Sequence, residues 1–217
     1  MPKLIDHGRR RAELIEASWN LIAADGVYGA TVRHVAERAH LDPGSVRYIF
    51  PSQDQLLLAA AAELHERVRV GAVRRADDYS RPEQAAFRLA AALPSDNERQ
   101  LEWRVERAFR FGANQLPALA PTVRACRETR LVEVREVLAV VASELDVSEQ
   151  TLGFEVQRTH ALTEGLGELL SDDAVSRTDA RQTLLTHLHG TQENWRLGHL
   201  ARVREVERLD AARARAL

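Results

Sequence analysis

Residues 32–50 read Val32-Arg33-His34-Val35-Ala36-Glu37-Arg38-Ala39-His40-Leu41-Asp42-Pro43-Gly44-Ser45-Val46-Arg47-Tyr48-Ile49-Phe50. The apolar set Val35, Ala36, Leu41 and Val46 has the spacing of two short helices meeting at a tight corner. Ala36 is small where a second helix crosses it, Leu41 plugs the corner, and Val46 returns the second helix onto the first. His40 falls where the corner needs a left-handed residue, and histidine is among the side chains enriched there. In a helix-turn-helix the second helix enters the major groove, so its exposed side chains meet base edges while hydroxyls and amides meet phosphates. The candidates are Pro43, Gly44, Ser45, Arg47 and Tyr48, with Arg33 on the preceding helix. Arg47 can donate two bonds to a guanine edge, and Tyr48 can reach a phosphate or a thymine methyl. Thr31 caps the first helix of the pair and is placed for a backbone phosphate. A plain helical hairpin without ligand has the same spacing.

Outward from this stretch the pattern stays helical. Apolar residues recur at helical intervals almost everywhere, which predicts an all-α chain. A first helix is expected over residues 9–24, ending at Asp25-Gly26, and short helices over 32–39 and from 43 to about 50. Capping boxes at Ser52/Gln55, Ser80/Glu83 and Ser95/Glu98 mark the starts of helices running to about 75, 93 and 114. After a loop at 116–121, helices follow to 145, over 148–170 and over 178–189, with a separate, solvated terminal helix at 191–217. The expected architecture is a three-helix helix-turn-helix head, residues 1–51, followed by a larger antiparallel helical bundle, residues 52–217.

Composition narrows the classes. The chain has 217 residues, 45% hydrophobic, enough for a sizeable core. No apolar run approaches a membrane span, and three early arginines, Arg9 to Arg11, break any signal peptide, so a cytoplasmic protein is expected. The single cysteine, Cys126, cannot form an internal disulfide and reads as a small buried apolar residue. Thirty basic residues against 32 acidic ones leave no overall field for a polyanion. Residues 1–55 are neutral too: Lys3, Arg9, Arg10, Arg11, Arg33, Arg38 and Arg47 against Asp6, Glu13, Glu16, Asp25, Glu37, Asp42 and Asp54. Non-specific DNA binding should therefore be weak unless Arg9 to Arg11 act as an arm.

Residues 11–57 resemble the N-terminal DNA-binding domain of the TetR family of transcriptional regulators. The resemblance rests on the first helix, on Asp25-Gly26-Val27-Tyr28-Gly29-Ala30-Thr31-Val32, and on Gly44-Ser45-Val46-Arg47-Tyr48-Ile49-Phe50-Pro51-Ser52-Gln53-Asp54-Gln55-Leu56-Leu57. The wording of the last segment looks most like members with a choline-repressor (BetI) type C-terminal domain. The resemblance implies a homodimer, usually a repressor and not an enzyme, that binds an inverted-repeat operator in double-stranded DNA and responds to a small-molecule effector. Two positions depart from it: Gln53 stands where members often carry a phosphate-binding lysine, and Ile49 stands where a histidine often precedes the phenylalanine. Gln53 keeps a hydrogen bond for the backbone and loses the charge.

For the effector pocket the candidates are Trp103, Arg107, Phe111 and Asn114 on one helix, with His160 and Glu164 spaced i, i+4 on another. For the first four the plain reading, core aromatic and solvated arginine, outweighs ligand contact at any single residue, while His160 and Glu164 can line a pocket floor or sit near a dimer seam. For the dimer interface they are Gly165, Leu166, Leu169, Leu184 and Leu188, because Gly165 and Gly167 weaken a helix unless they admit another backbone. An intramolecular core is the competing reading. No cofactor and no membrane partner is implied. Two alternatives stay open: a dimeric ligand sensor or antirepressor that has lost DNA binding, and a helical-bundle metal enzyme. The metal reading has one Glu-x-x-His, Glu37 to His40, and no second copy, while His187 and His189 lie roughly 200° apart on a helix.

Overall fold

The computed structural model describes residues 7–79, 84–143 and 145–214, the last stretch without its side chains beyond Gly198. Among these residues the regular structure is all helical: α1 (His7–Asp25), α2 (Val32–Arg38), α3 (Pro43–Ile49), α4 (Gln53–Asp78), α5 (Ala85–Ala92), α6 (Asn97–Gly112), a 3-10 turn (Pro117–Leu119), α7 (Ala120–Ala142), α8 (Glu149–Ser171) and α9 (Arg177–Ala214). No helix among them is long and apolar enough to cross a membrane.

Local chemistry sets the boundaries. Gly26 closes α1 at φ 73°, its N–H donating to Ile22 O at 2.9 Å. His40 sits at φ 54°, which turns the chain so that Leu41 N–H reaches Ala36 O at 2.9 Å. Ser52 Oγ accepts from Gln55 N–H, and Ser148 Oγ from Thr151 N–H. The helix expected from Ser95 starts one residue later, because Asp96 Oδ1 accepts from Arg99 N–H at 2.8 Å and so acts as the cap. The Ser80/Glu83 box lies outside the described residues. The helices expected at 178–189 and 191–217 are one, α9. Thr191 and Trp195 are both buried, so packing carries the helix through Gly190 where propensity predicts a break.

The chain forms two compact units. Unit 1 contains residues up to Val73 and Pro94–Thr129; unit 2 contains Arg74–Leu93 and the chain from Arg130. Unit 1 is built on Leu14, Trp19, Ile22, Val35, Ala36, Val46, Leu56, Leu64, Val105 and Phe109. Trp19 is fully enclosed and its indole N–H donates to Ala60 O at 3.1 Å, tying α1 to α4. The Arg67 guanidinium lies 4.4 Å from a Trp19 ring centroid and 3.0 Å from Glu98. Gly112, at the end of α6, leaves room for Val27: a Cβ there would stand 2.7 Å from Val27 Cγ1. Cys126 is buried.

Unit 2 gathers Leu89, Leu93, Val137, Leu138, Leu166, Leu170, Leu184, Leu188 and Trp195. Two polar clusters are set into it. Glu133 is 3% exposed and takes a two-pronged contact from Arg75, 2.7 Å at each oxygen, plus Arg88 at 3.4 Å. Between α8 and α9, Glu155 Oε1 lies 3.1 Å from His187 Nε2 and accepts from Thr191 Oγ1 at 3.2 Å, while Glu155 Oε2 lies 3.1 Å from Arg158. His187 Nε2 is also 2.9 Å from Thr159 Oγ1.

Two expectations follow. Glu133→Leu leaves Arg75 without its carboxylate in a largely buried site and should destabilise the protein by about 3 kcal/mol, read by urea unfolding. Burial holds the His187 pKa below its ordinary 6.5, against the raising effect of Glu155 and with the help of Arg158. A depressed folded-state pKa means that the unfolded chain takes the proton first, so this contribution is complete above pH 6.5 and is lost as pH falls below it. Thermal unfolding from pH 7.5 to 5.5 should show a fall that His187→Gln flattens.

Candidate nucleic-acid interface

The helix-turn-helix is assembled within unit 1. Val35, Ala36 and Val46 are fully buried, which fixes the opposite face of α3 outward. Tyr48 is 76% exposed and Arg47 is exposed beside it, as are Pro43, Gly44 and Ser45. Thr31 caps α2, its hydroxyl accepting from His34 N–H at 3.2 Å.

Asp42 caps α3 through Oδ1, which accepts from Gly44 N–H at 2.8 Å and Ser45 N–H at 3.1 Å, while Ser45 Oγ donates to Oδ2. The Ser45 hydroxyl first, and these backbone donors with it, hold the Asp42 carboxyl below the usual carboxylate range. An ionised carboxylate therefore sits at the start of the recognition helix, and Ser45 spends its hydroxyl on it. Arg33 is likewise engaged, 3.0 Å from Glu37 one turn along. Arg47 and Tyr48 are left exposed on the outer face of α3.

Several expectations are corrected by this geometry. Gln53 turns its amide inward and donates to Val27 O at 3.3 Å, so it braces α4 against the α1–α2 loop. Without a charge to keep in water, the side chain satisfies a nearby carbonyl. Arg9 to Arg11 form no arm, since α1 already begins at His7. Arg9 and Arg10 lie 3.3 and 3.1 Å from Glu13, and the Arg11 guanidinium lies 5.5 Å from the Phe50 ring centroid. His7 and His34 escape a reading by motif. The His7 ring lies 5.9 Å from that of Tyr48, and His34 Nδ1 lies 2.9 Å from Gly29 O beside Thr31. Nothing in sequence spacing links position 7 to position 48.

The expected effector residues do not fall in one unit. Trp103 is buried in unit 1, Arg107 is half-buried, and Phe111 and Asn114 are exposed, Phe111 at 70%. His160 is buried in unit 2, and Glu164, half-buried there, lies 3.8 Å from Arg130 Nε. Of the expected dimer residues, Leu166, Leu184 and Leu188 are buried in the core of unit 2 and are not a free face. The helical period explains this: Leu162, Leu166 and Leu170 turn inward, which turns Phe154, Ala161, Gly165 and Leu169 outward. Glu37 and His40 share no helix, as α2 ends at Arg38.

Residues 14–65 match the family model described as bacterial regulatory proteins, tetR family. That segment is a TetR-family domain. It is 29% identical to the HTH-type transcriptional regulator PksA of Bacillus subtilis over 87% of this chain and 92% of that one. It is 33% identical to the HTH-type transcriptional regulator BetI of Burkholderia mallei over 45% of this chain and 50% of that one, a match too short to establish a BetI-type C-terminal domain. A crystal structure of a TetR-family regulator from Rhodococcus superposes with TM-score 0.65 at 25% identity, covering 84% of this chain and 97% of that one.

Arg47→Ala should lower affinity for a specific operator by about 1 to 3 kcal/mol and relax discrimination at one base position, while Thr31→Ala weakens binding evenly across sequences. Anisotropy titrations on operator and random duplexes distinguish the two. Equal losses on both for Arg47→Ala would make it a phosphate contact.

Proposed function

We propose that this TetR-family transcriptional regulator is a homodimeric repressor that reads an inverted-repeat operator and is released by a small molecule. The observation that carries the reading is α3: an inward Val46 locks the helix while Arg47 and Tyr48 stand exposed on its outer face. A twofold dimer presents two such helices, which is why the operator should be an inverted repeat. Phe154, Gly165 and Leu169 on α8, with Leu197 on α9, supply an outward apolar set suited to pairing with a second copy.

The link from effector to DNA is proposed to run through unit 1. Gly112 on α6 touches Val27, and the Val27 carbonyl holds Gln53 at the start of α4. A shift of α6 thus reaches the loop that precedes Thr31 and the helix that follows the head. An effector favouring one arrangement would change the separation of the two recognition helices by population shift.

A second reading, a dimeric sensor without DNA binding, is favoured by the inward Gln53 and by the carboxylates of Glu13, Glu37 and Asp42 around the head. A gel shift on the DNA flanking the gene at low salt separates the two. A specific complex supports the repressor, and an intact dimer that shifts no fragment supports the sensor.

The dimer has its own test. Gly165 is exposed and a Cβ there meets nothing within 4 Å, so Gly165→Leu adds its side chain on the outside of the protomer. Circular dichroism should stay helical while sedimentation moves toward monomer and operator affinity falls. A helical dimer that binds its operator as before would place the interface elsewhere.

A further inference from the structure

Ala86 and Phe87 of α5, Val140, Val141 and Ser143 at the end of α7, Leu145 beyond it, and one stripe of α9 enclose a cleft of about 410 Å³ in unit 2. That volume lies in the range of small-molecule sites. None of the six residues expected to bind effector lines it.

The stripe on α9 runs Leu185, Leu188, His189, Gln192 and Arg196, three or four residues apart and so on one face. It changes character along its length. Leu188 is buried and forms part of an apolar floor, whereas His189, Gln192 and Arg196 carry nitrogen groups that can bond an acceptor. Phe87 and Val140, on different helices, remain 39% and 38% exposed, which leaves apolar surface for a ligand to cover. The Arg181 guanidinium lies 5.2 Å from the Phe87 ring centroid, adding a second positive charge next to the cleft. Glu193, 3.4 Å from Arg196, forms with it a pair more than half exposed on both sides, a weak competitor for that guanidinium.

We infer that this cleft binds an amphipathic organic anion, its apolar body against Phe87, Val140 and Leu185 and its carboxylate at Gln192 and Arg196. The inference names an effector class for the ligand-responsive regulator proposed above and rests on that reading. A second copy of the chain is the weaker occupant, because a protein face would have to desolvate His189, Gln192 and Arg196 together, whereas a carboxylate satisfies donors of this kind.

Calorimetric titration of the full-length protein with octanoate, and separately with octyltrimethylammonium, tests the assignment without DNA. Octanoate should saturate one site per chain while the cation of similar length does not. Arg196→Gln should weaken octanoate binding about tenfold, the loss of one charged hydrogen-bond donor. Leu185→Trp, which fills the cleft from the same stripe, should abolish it. Equal binding of the two amphiphiles, or unchanged octanoate affinity in both variants, would overturn the proposal. So would a Val140→Asp variant that becomes monomeric when the wild type binds no octanoate, since the cleft would then be a seam between copies. Operator binding by the same preparations distinguishes the failures: DNA bound without octanoate binding defeats only the cleft, and octanoate bound without DNA binding defeats only the repressor.

Discussion

The head is fixed by one buried aromatic. Trp19 is enclosed by unit 1, donates its indole N–H to Ala60 in the first half of α4, and carries the Arg67 guanidinium on its ring. The contact joins α1, the scaffold under the recognition helix, to the helix that leaves the head. A fully buried indole needs a partner for its N–H, and a helix carbonyl meets that need only at one register. The same register places Leu56, Leu57 and Leu64 of α4 in the unit 1 core and leaves Gln53 near Val27.

Around this scaffold, charge is arranged to cancel. Glu13 holds Arg9 and Arg10, Glu37 holds Arg33, and Asp42 caps the recognition helix. A DNA-binding head usually gains most of its affinity from counterion release, in proportion to the phosphates it neutralises. Among the described residues few cations of the head are unpaired, so under the proposed function recognition would lean on base edges at α3 and on a second head. Exposed ion pairs of this kind are individually weak, so a phosphate can compete for their arginines at small cost.

Polar groups inside unit 2 act differently. Glu133 binds two guanidiniums across α4, α5 and α7, and Glu155 gathers an imidazole, a hydroxyl and a guanidinium across α8 and α9. A carboxylate buried among named donors admits few alternative alignments, because any slip leaves the charge unsatisfied. These contacts set helix register more than they add stability. Apart from the local Arg158–Glu155 pair, they join residues 28 to 58 positions apart, beyond the reach of local pattern.

The all-α class, the corner at His40, the caps at Thr31, Ser52 and Ser148, and the outward Arg47 and Tyr48 were legible in the sequence, because each depends on neighbours within a turn or two of helix. Hydrophobic period and capping chemistry are local, and so is the TetR-family motif built from them. The tertiary structure decided what depends on distant partners. Leucines 166, 184 and 188 could have faced a second copy or the protomer core, and packing turned them inward. Gln53 could have reached for phosphate, and the Val27 carbonyl took its amide. Gly190 should have ended a helix, and burial of Thr191 and Trp195 carried α9 past it. In each case the local preference is about a kilocalorie per mole or less, while burial of a large side chain contributes more, so the long-range contact prevails.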